Sequence, residues 1–329
     1  MRAPRLARLT ILALVVFGAP LVAEAQPAGR VARVGVLASS TEAIFGPGVK
    51  VLREALQAAD WVEGQNLTLD ARYAGDQYAR LPELAAELIR LKVDVLVSLG
   101  TPATLAAKRA TTTIPIVMES LSDVVSTGVV PNLARPGGNV TGIAGFAPEL
   151  SSKRLELIRE MLPRADRIAV LANRANPATV AILHATEAAA QQMGMKLHLV
   201  DIRQPGELGA AFETMRREHV DAVVLVADPL LFSQTRLITQ LAARHRLPAV
   251  YETRRFPDAG GLLSYGPLPW ERFRRIAVYV DRILRGALPG ELPVEQPTTF
   301  ELVINLKTAQ ALGLTIPPSV LARADEVIQ

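Results

Sequence analysis

Residues 93–118 (Val-Asp-Val-Leu-Val-Ser-Leu-Gly-Thr-Pro-Ala-Thr-Leu-Ala-Ala-Lys-Arg-Ala-Thr-Thr-Thr-Ile-Pro-Ile-Val-Met) constrain the fold more than any other stretch. Val93 to Leu99 is a short apolar run rich in β-branched residues, which suits a strand covered on both faces. Gly100 breaks it, and Thr101-Pro102 reads as an N-cap followed by proline at the first helical position. A helix over Ala103–Ala110 and a strand over Ile114–Met118 complete a βαβ unit. Thr101 then stands at the carboxyl end of a parallel strand, where open α/β sheets bind ligands and where free helix N–H groups hold anions. Gly-Thr-Pro reads equally as no more than a well-formed cap; local sequence leaves both readings open.

The same alternation runs along the chain. Val31–Ala38 is a strand ending in the polar cluster Ser39-Ser40-Thr41-Glu42. An amphipathic helix over Gly46–Trp61, a strand over Asn66–Tyr73 and a helix over Leu81–Leu91 follow. After Ser120–Pro131, with Asp123, comes the turn-rich Arg135-Pro136-Gly137-Gly138-Asn139 and an extended stretch, Val140–Phe146. A second series begins there. Its helices are 151–161, 178–192, 207–218 and 230–245; its strands are 168–172, 196–200, 221–226 and 248–251. These strands end in small polar clusters around Asn173 and Asn176, Asp228, and Glu252. Gly260–Gly266 reads as a Gly-rich crossing, Trp270–Arg285 as an amphipathic helix, Pro289–Pro297 as a Pro-rich connector and Phe300–Asn305 as a last strand. The expected architecture is α/β, with two Rossmann-like lobes of parallel strands joined by crossings. Residues 30–142 with 264–292 form lobe I, and 143–263 with 293–329 form lobe II.

The first 25 residues read differently. Arg2, Arg5 and Arg8 form a basic segment, Leu9–Phe17 is apolar, and Ala23-Glu24-Ala25 fits a cleavage site, so a cleavable export signal and a periplasmic location are expected. The apolar run is shorter than a bilayer span. The chain contains no cysteine, which excludes disulfides, thiol catalysis, Cys-ligated metal and a lipidated cysteine. Half of its formal charge of +4 resides in that leader, and no basic stripe with interleaved aromatics argues for nucleic acid.

Chemistry-bearing motifs are sparse. The four histidines show no metal-ligand spacing, and there is no G-x-S-x-G elbow, Walker loop or G-x-G-x-x-G. No cofactor is expected. The recurring feature is the polar cluster after each strand. Ser39, Thr41 and Thr101 hydroxyls, with amides at the start of the following helix, suit a ligand carboxylate. Asp228 and Asp123, then Glu252, suit an ammonium group, and Tyr251 and Tyr265 offer aromatic surface or a hydroxyl. Asp228-Pro229 reads equally well as an N-cap with proline behind it.

Several segments resemble one family. They are Lys153-Arg154-Leu155-Glu156-Leu157-Ile158, Arg135-Pro136-Gly137-Gly138-Asn139-Val140-Thr141-Gly142, Trp61-Val62-Glu63-Gly64-Gln65-Asn66, Ala227-Asp228-Pro229, and the closing run Phe300 to Pro318. The chain is similar over residues 30–329 to ABC-transporter substrate-binding proteins of the tryptophan/phenylalanine-binding type. That resemblance implies a type I periplasmic-binding-protein fold with three crossovers, closing on a small solute and delivering it to an inner-membrane permease as a monomer. It transfers ligand-binding positions to Ser39, Thr41, Gly100, Thr101, Ala103, Ser120 and Asp123 in the first lobe, and to Asn173, Asp228, Tyr251 and Glu252 in the second. An enzyme on the same scaffold, or a receptor serving a sensor kinase, are the alternatives.

Overall fold

The computed structural model describes residues 31–329 except 121, 122 and 146. The expected export signal lies outside the described residues.

Two sheets organise the chain. The first series is β1 (Ala32–Ala38), α1 (Glu42–Ala58), β2 (Leu67–Tyr73), α2 (Leu81–Arg90), β3 (Val95–Leu99), α3 (Thr101–Ala110), β4 (Ile116–Glu119) and β5 (Val140–Ile143). Its strands form a parallel sheet ordered β2-β1-β3-β4-β5. The second series is α4 (Ala147–Met161), β6 (Arg167–Ala172), α5 (Ala178–Gln192), β7 (Lys196–Asp201), α6 (Leu208–Arg217), β8 (Ala222–Leu225), α7 (Pro229–Ser233), α8 (Thr235–Arg244), β9 (Ala249–Tyr251), α9 (Arg255–Asp258) and β10 (Leu263–Pro267). Helix α10 (Pro269–Leu284) then returns to the first sheet. Strand β11 (Phe300–Asn305), α11 (Leu306–Ala311), α12 (Pro318–Leu321) and β12 (Glu326–Ile328) close the chain. The second sheet is ordered β12-β11-β10-β9-β8-β6-β7, and only the β10–β11 pair is antiparallel.

The strand sequences explain this layering. Every residue of β3 is buried. Val95, Val97 and Leu99 face a core shared with α1 and α10, whereas Leu96 faces one shared with α2 and α3. Strand β8 splits likewise, Ala222 and Val224 on one side and Val223 and Leu225 on the other. A period of two combined with apolar residues at every position requires cover on both faces, and each such side chain contributes roughly 1.5–3 kcal/mol on burial. Helix α10 shows the complementary pattern: Phe273, Ile276, Ala277, Val280 and Ile283 form one buried stripe against the first sheet.

The crossings lie somewhat later than the sequence suggests. Leu263–Pro267 is not a connector but a strand paired with β9 and β11, so the chain leaves the second sheet after Pro267 rather than at Ser264. A flexible-looking Gly-Gly-Leu-Leu-Ser-Tyr-Gly run becomes a strand because Gly266 must pass directly against the Glu252 carbonyl, where a Cβ would not fit. On the return, Val294 donates to Leu133 O, and Glu295 exchanges backbone hydrogen bonds with Gly142 and Ala144. Residues 293–296 therefore run along the first sheet's edge before the chain re-enters the second. No helix among the described residues is long and apolar enough to cross a membrane.

Candidate functional site

Strand ends of both sheets, together with α1 and α10, enclose a cavity of about 340 Å³. Lobe I contributes Ile44, Phe45 and Gly48 from α1, Gly100 and Thr101 after β3, Glu119 at the end of β4, and Trp270, Arg272 and Phe273 from α10. Lobe II contributes Asn176, Ala178 and Ile182 after β6, Ala227, Pro229 and Phe232 after β8, and Thr253 to Arg255 with Asp258 after β9. Gly48 brings α1 and α10 together at this wall, because a Cβ there would occupy the position of the Phe273 ring.

Charge on the wall is uneven. Arg254 pairs with Asp258, Glu301 and Glu326. Arg272 lies 2.5 Å from Glu119, both almost fully buried, while its Nε has no hydrogen-bond partner among the described residues. Arg255 has no ion-pair partner among the described residues; it donates to the Ile44 carbonyl at 3.3 Å, across the cleft. Burial lowers its pKa from the usual arginine value, as desolvation of a cation does. Of the three wall arginines, Arg254 and Arg272 are matched by carboxylates and Arg255 is not; at a largely apolar, aromatic surface this suits a flat apolar group carrying an anion.

Of the residues singled out in the sequence, Gly100 and Thr101 form the cavity wall. Gly100 adopts φ 91° and is itself the helix N-cap, so Thr101 stands at the first helical position rather than capping it. The Thr101 hydroxyl lies 2.7 Å from that of Ser120. Ser39 is buried behind Gly100, its hydroxyl donating to Leu99 O at 3.0 Å. Thr41 is the N-cap of α1 without a side-chain capping bond to the described residues, and Ala103 is buried in the first-lobe core. Asp123 caps its own turn through the amides of Val125 and Ser126.

In the second lobe, Tyr251 points into the core. Its ring stacks on Phe256 at 4.3 Å, and it does not line the cavity, because β9 turns that side chain to the face opposite Glu252. Glu252 is bound to Arg154 at 2.6 Å, with both side chains buried. Burial raises its pKa while Arg154 opposes the rise. Tyr265 stacks on Phe300, and its carbonyl accepts from Arg154 Nε.

Asp228, fully buried, is saturated. Its Oδ1 accepts from Asn173 Nδ2 (3.1 Å) and Leu230 N (2.9 Å), and its Oδ2 accepts from Asn176 Nδ2 (2.8 Å) and the Tyr78 hydroxyl (3.0 Å). Desolvation pushes its pKa up, against these hydrogen bonds. Four donors fill a carboxylate's acceptor sites, so an ammonium group has none left while this network holds. The N-cap reading of Asp228-Pro229 is the one the geometry realises. Tyr78, Glu119, Arg255, Arg272 and the aromatic wall carry no local motif. They meet only through the packing of elements remote in sequence.

The family described as ABC transporter substrate binding protein matches residues 35–328. A tyrosine-binding protein of Clostridioides difficile is 24% identical over 262 residues, covering 79% of this chain and 75% of that protein. A conserved domain protein of Vibrio cholerae superposes with a TM-score of 0.86 at 29% identity, covering 91% of this chain and all of that one. An ABC domain from Streptococcus pneumoniae, solved in complex with L-Trp, superposes at 0.85 with 25% identity and the same coverage. The fold, at TM-score 0.61 and 14% identity, is shared with a leucine-binding protein of Thermotoga maritima over 86% of this chain and 87% of that one. With the cleft flanked by two doubly covered sheets and the match spanning nearly every described residue, the chain belongs to the ABC transporter substrate-binding proteins, on the type I periplasmic-binding fold.

Proposed function

We propose that the chain is an exported receptor that binds an aromatic α-amino acid in the interlobe cavity and presents it, as a monomer, to an inner-membrane permease. It binds its solute and does not transform it. One observation carries the solute class: a cavity walled by Phe45, Phe232, Trp270 and Phe273 also holds Arg255, a cation with no carboxylate partner among the described residues. The tyrosine-binding and L-Trp-bound relatives support the same class.

In this reading Arg255 and Thr101, with the amides opening α3, hold the carboxylate. Glu119 takes the ammonium group, and the aromatic wall takes the ring. The Thr101 role follows from the sequence. Arg255 and Glu119 replace Asp228 and Asp123 among the charged contacts.

Calorimetric titration of L-tryptophan, L-tyrosine, L-phenylalanine and L-leucine tests the reading. A ligand at about 100 times its dissociation constant adds about 2.7 kcal/mol to stability and raises the thermal midpoint visibly. The aromatic solutes should bind and leucine should bind far more weakly. Arg255→Met should weaken aromatic binding by about tenfold or more, since a charge-assisted hydrogen bond is worth about 1.5–3 kcal/mol. Absence of any aromatic binding refutes the solute class.

A further inference from the structure

We infer that Tyr78 is a positioning residue for closure: its hydroxyl, carried by lobe I, latches onto Asp228 of lobe II and sets affinity for every solute by the same factor. This rests on the receptor reading above and adds a residue that touches no solute. Tyr78 lies in a short 3₁₀ turn, Tyr78–Arg80, between β2 and α2, and its ring packs against the first-lobe core. Asp228, the N-cap of α7 just beyond β8, lies 150 positions later.

Of the four donors to the Asp228 carboxylate, Asn173, Asn176 and the Leu230 amide belong to lobe II and move with it. Only the Tyr78 hydroxyl comes from lobe I. Parting the lobes therefore removes one hydrogen bond from a buried anion, and bringing them together restores it. Around the latch the lobes touch closely. Ser40 Oγ lies 3.5 Å from the Pro229 carbonyl, and a Cβ on Gly100 would lie 3.5 Å from the Pro229 ring.

The latch borders the solute cavity without lining it. Asn176 and Pro229, on either side of Asp228, form cavity wall, whereas neither Asp228 nor Tyr78 does. A contact present only in the closed arrangement multiplies the closed-to-open ratio, and hence apparent affinity, by one factor whatever the ligand. A residue that met the solute ammonium group would instead discriminate between solutes with and without it.

The test is Tyr78→Phe, which keeps the ring in its core and deletes only the hydroxyl. Titrate the wild-type and variant full chains with L-tryptophan, L-tyrosine and their desamino counterparts, indole-3-propionate and 3-(4-hydroxyphenyl)propionate. The variant should lose affinity about tenfold for every probe that the wild type binds. The ratio of each amino acid to its desamino partner should stay constant, and small-angle scattering at equal solute saturation should show a more open particle. Unchanged affinity, or a loss confined to the ammonium-bearing probes, overturns the latch. If the wild type binds none of the probes, the solute reading fails on its own. The latch is then decided without ligand, by a double-mutant cycle of thermal midpoints with Tyr78→Phe and Asp228→Asn. Coupling between the two supports it, and additivity overturns it.

Discussion

Replacing Arg154 by methionine tests how the second lobe anchors the strand end that carries Glu252. Methionine retains most of the apolar stem but removes two bonds, Nη1 to Glu252 Oε1 at 2.6 Å and Nε to the Tyr265 carbonyl at 3.0 Å. Glu252, buried and already above its ordinary pKa through desolvation, loses the nearest cation opposing that shift. Both side chains are more than nine-tenths buried, 2% and 9% exposed, so solvent cannot take over. Breaking a buried pair from one side costs about 3–5 kcal/mol, because the remaining charge is stranded. For a lobe of this size that corresponds to roughly 6–20 °C in midpoint. The double variant Arg154→Met/Glu252→Met removes both charges and should recover most of the loss. Thermal and urea unfolding followed by circular dichroism read both. Acidification should also rescue the single variant in part. The folded carboxyl then binds its proton more tightly than the unfolded one, so stability rises as pH falls through the raised pKa. A single-variant loss below about 1 kcal/mol, or a double variant no better than the single, would refute the stranded-charge argument.

Two further outcomes follow from the same geometry. Gly142→Ala should destabilise the first lobe by more than about 3 kcal/mol, since φ is 128° and a Cβ would sit against the Met118 carbonyl and 2.6 Å from its amide nitrogen; an unfolding midpoint within a degree of wild type would contradict this. Glu301, whose pKa burial raises despite Arg254, binds a proton more tightly folded than unfolded. Its ionised form therefore costs stability at neutral pH, the cost falls as pH drops through the raised pKa, and Glu301→Gln should remove that segment of the pH profile.

Elements with a strong period were legible in the sequence. Strand 66–73 is observed at Leu67–Tyr73, helix 178–192 at Ala178–Gln192 and strand 300–305 at Phe300–Asn305, because each carries its own pattern. The single helix expected over 230–245 is two, α7 and α8, meeting at Gln234; apolar spacing runs through both and hides the break. Strand β12, three residues with none fully buried, carries no apolar pattern of its own in the sequence. At the site, Thr101 was visible since strand-turn-helix chemistry is local. Tyr78 sits in a polar loop with nothing nearby to mark it, and its partner lies in the other lobe. Glu252 and Tyr251 read as a polar-aromatic strand end, yet alternation sends one to Arg154 and the other into the core.

Helix α10 sets the order in which the protein can be completed. It supplies Phe273, Ile276, Ala277, Tyr279, Val280 and Ile283 to the core beneath the first-made sheet. As the chain emerges during synthesis, β1 to β5 come out early but lack this cover until nearly the whole chain has been made. The opening half therefore waits with exposed apolar surface while the second sheet is still being translated. A chain threaded in this way is held from premature folding by its own connectivity.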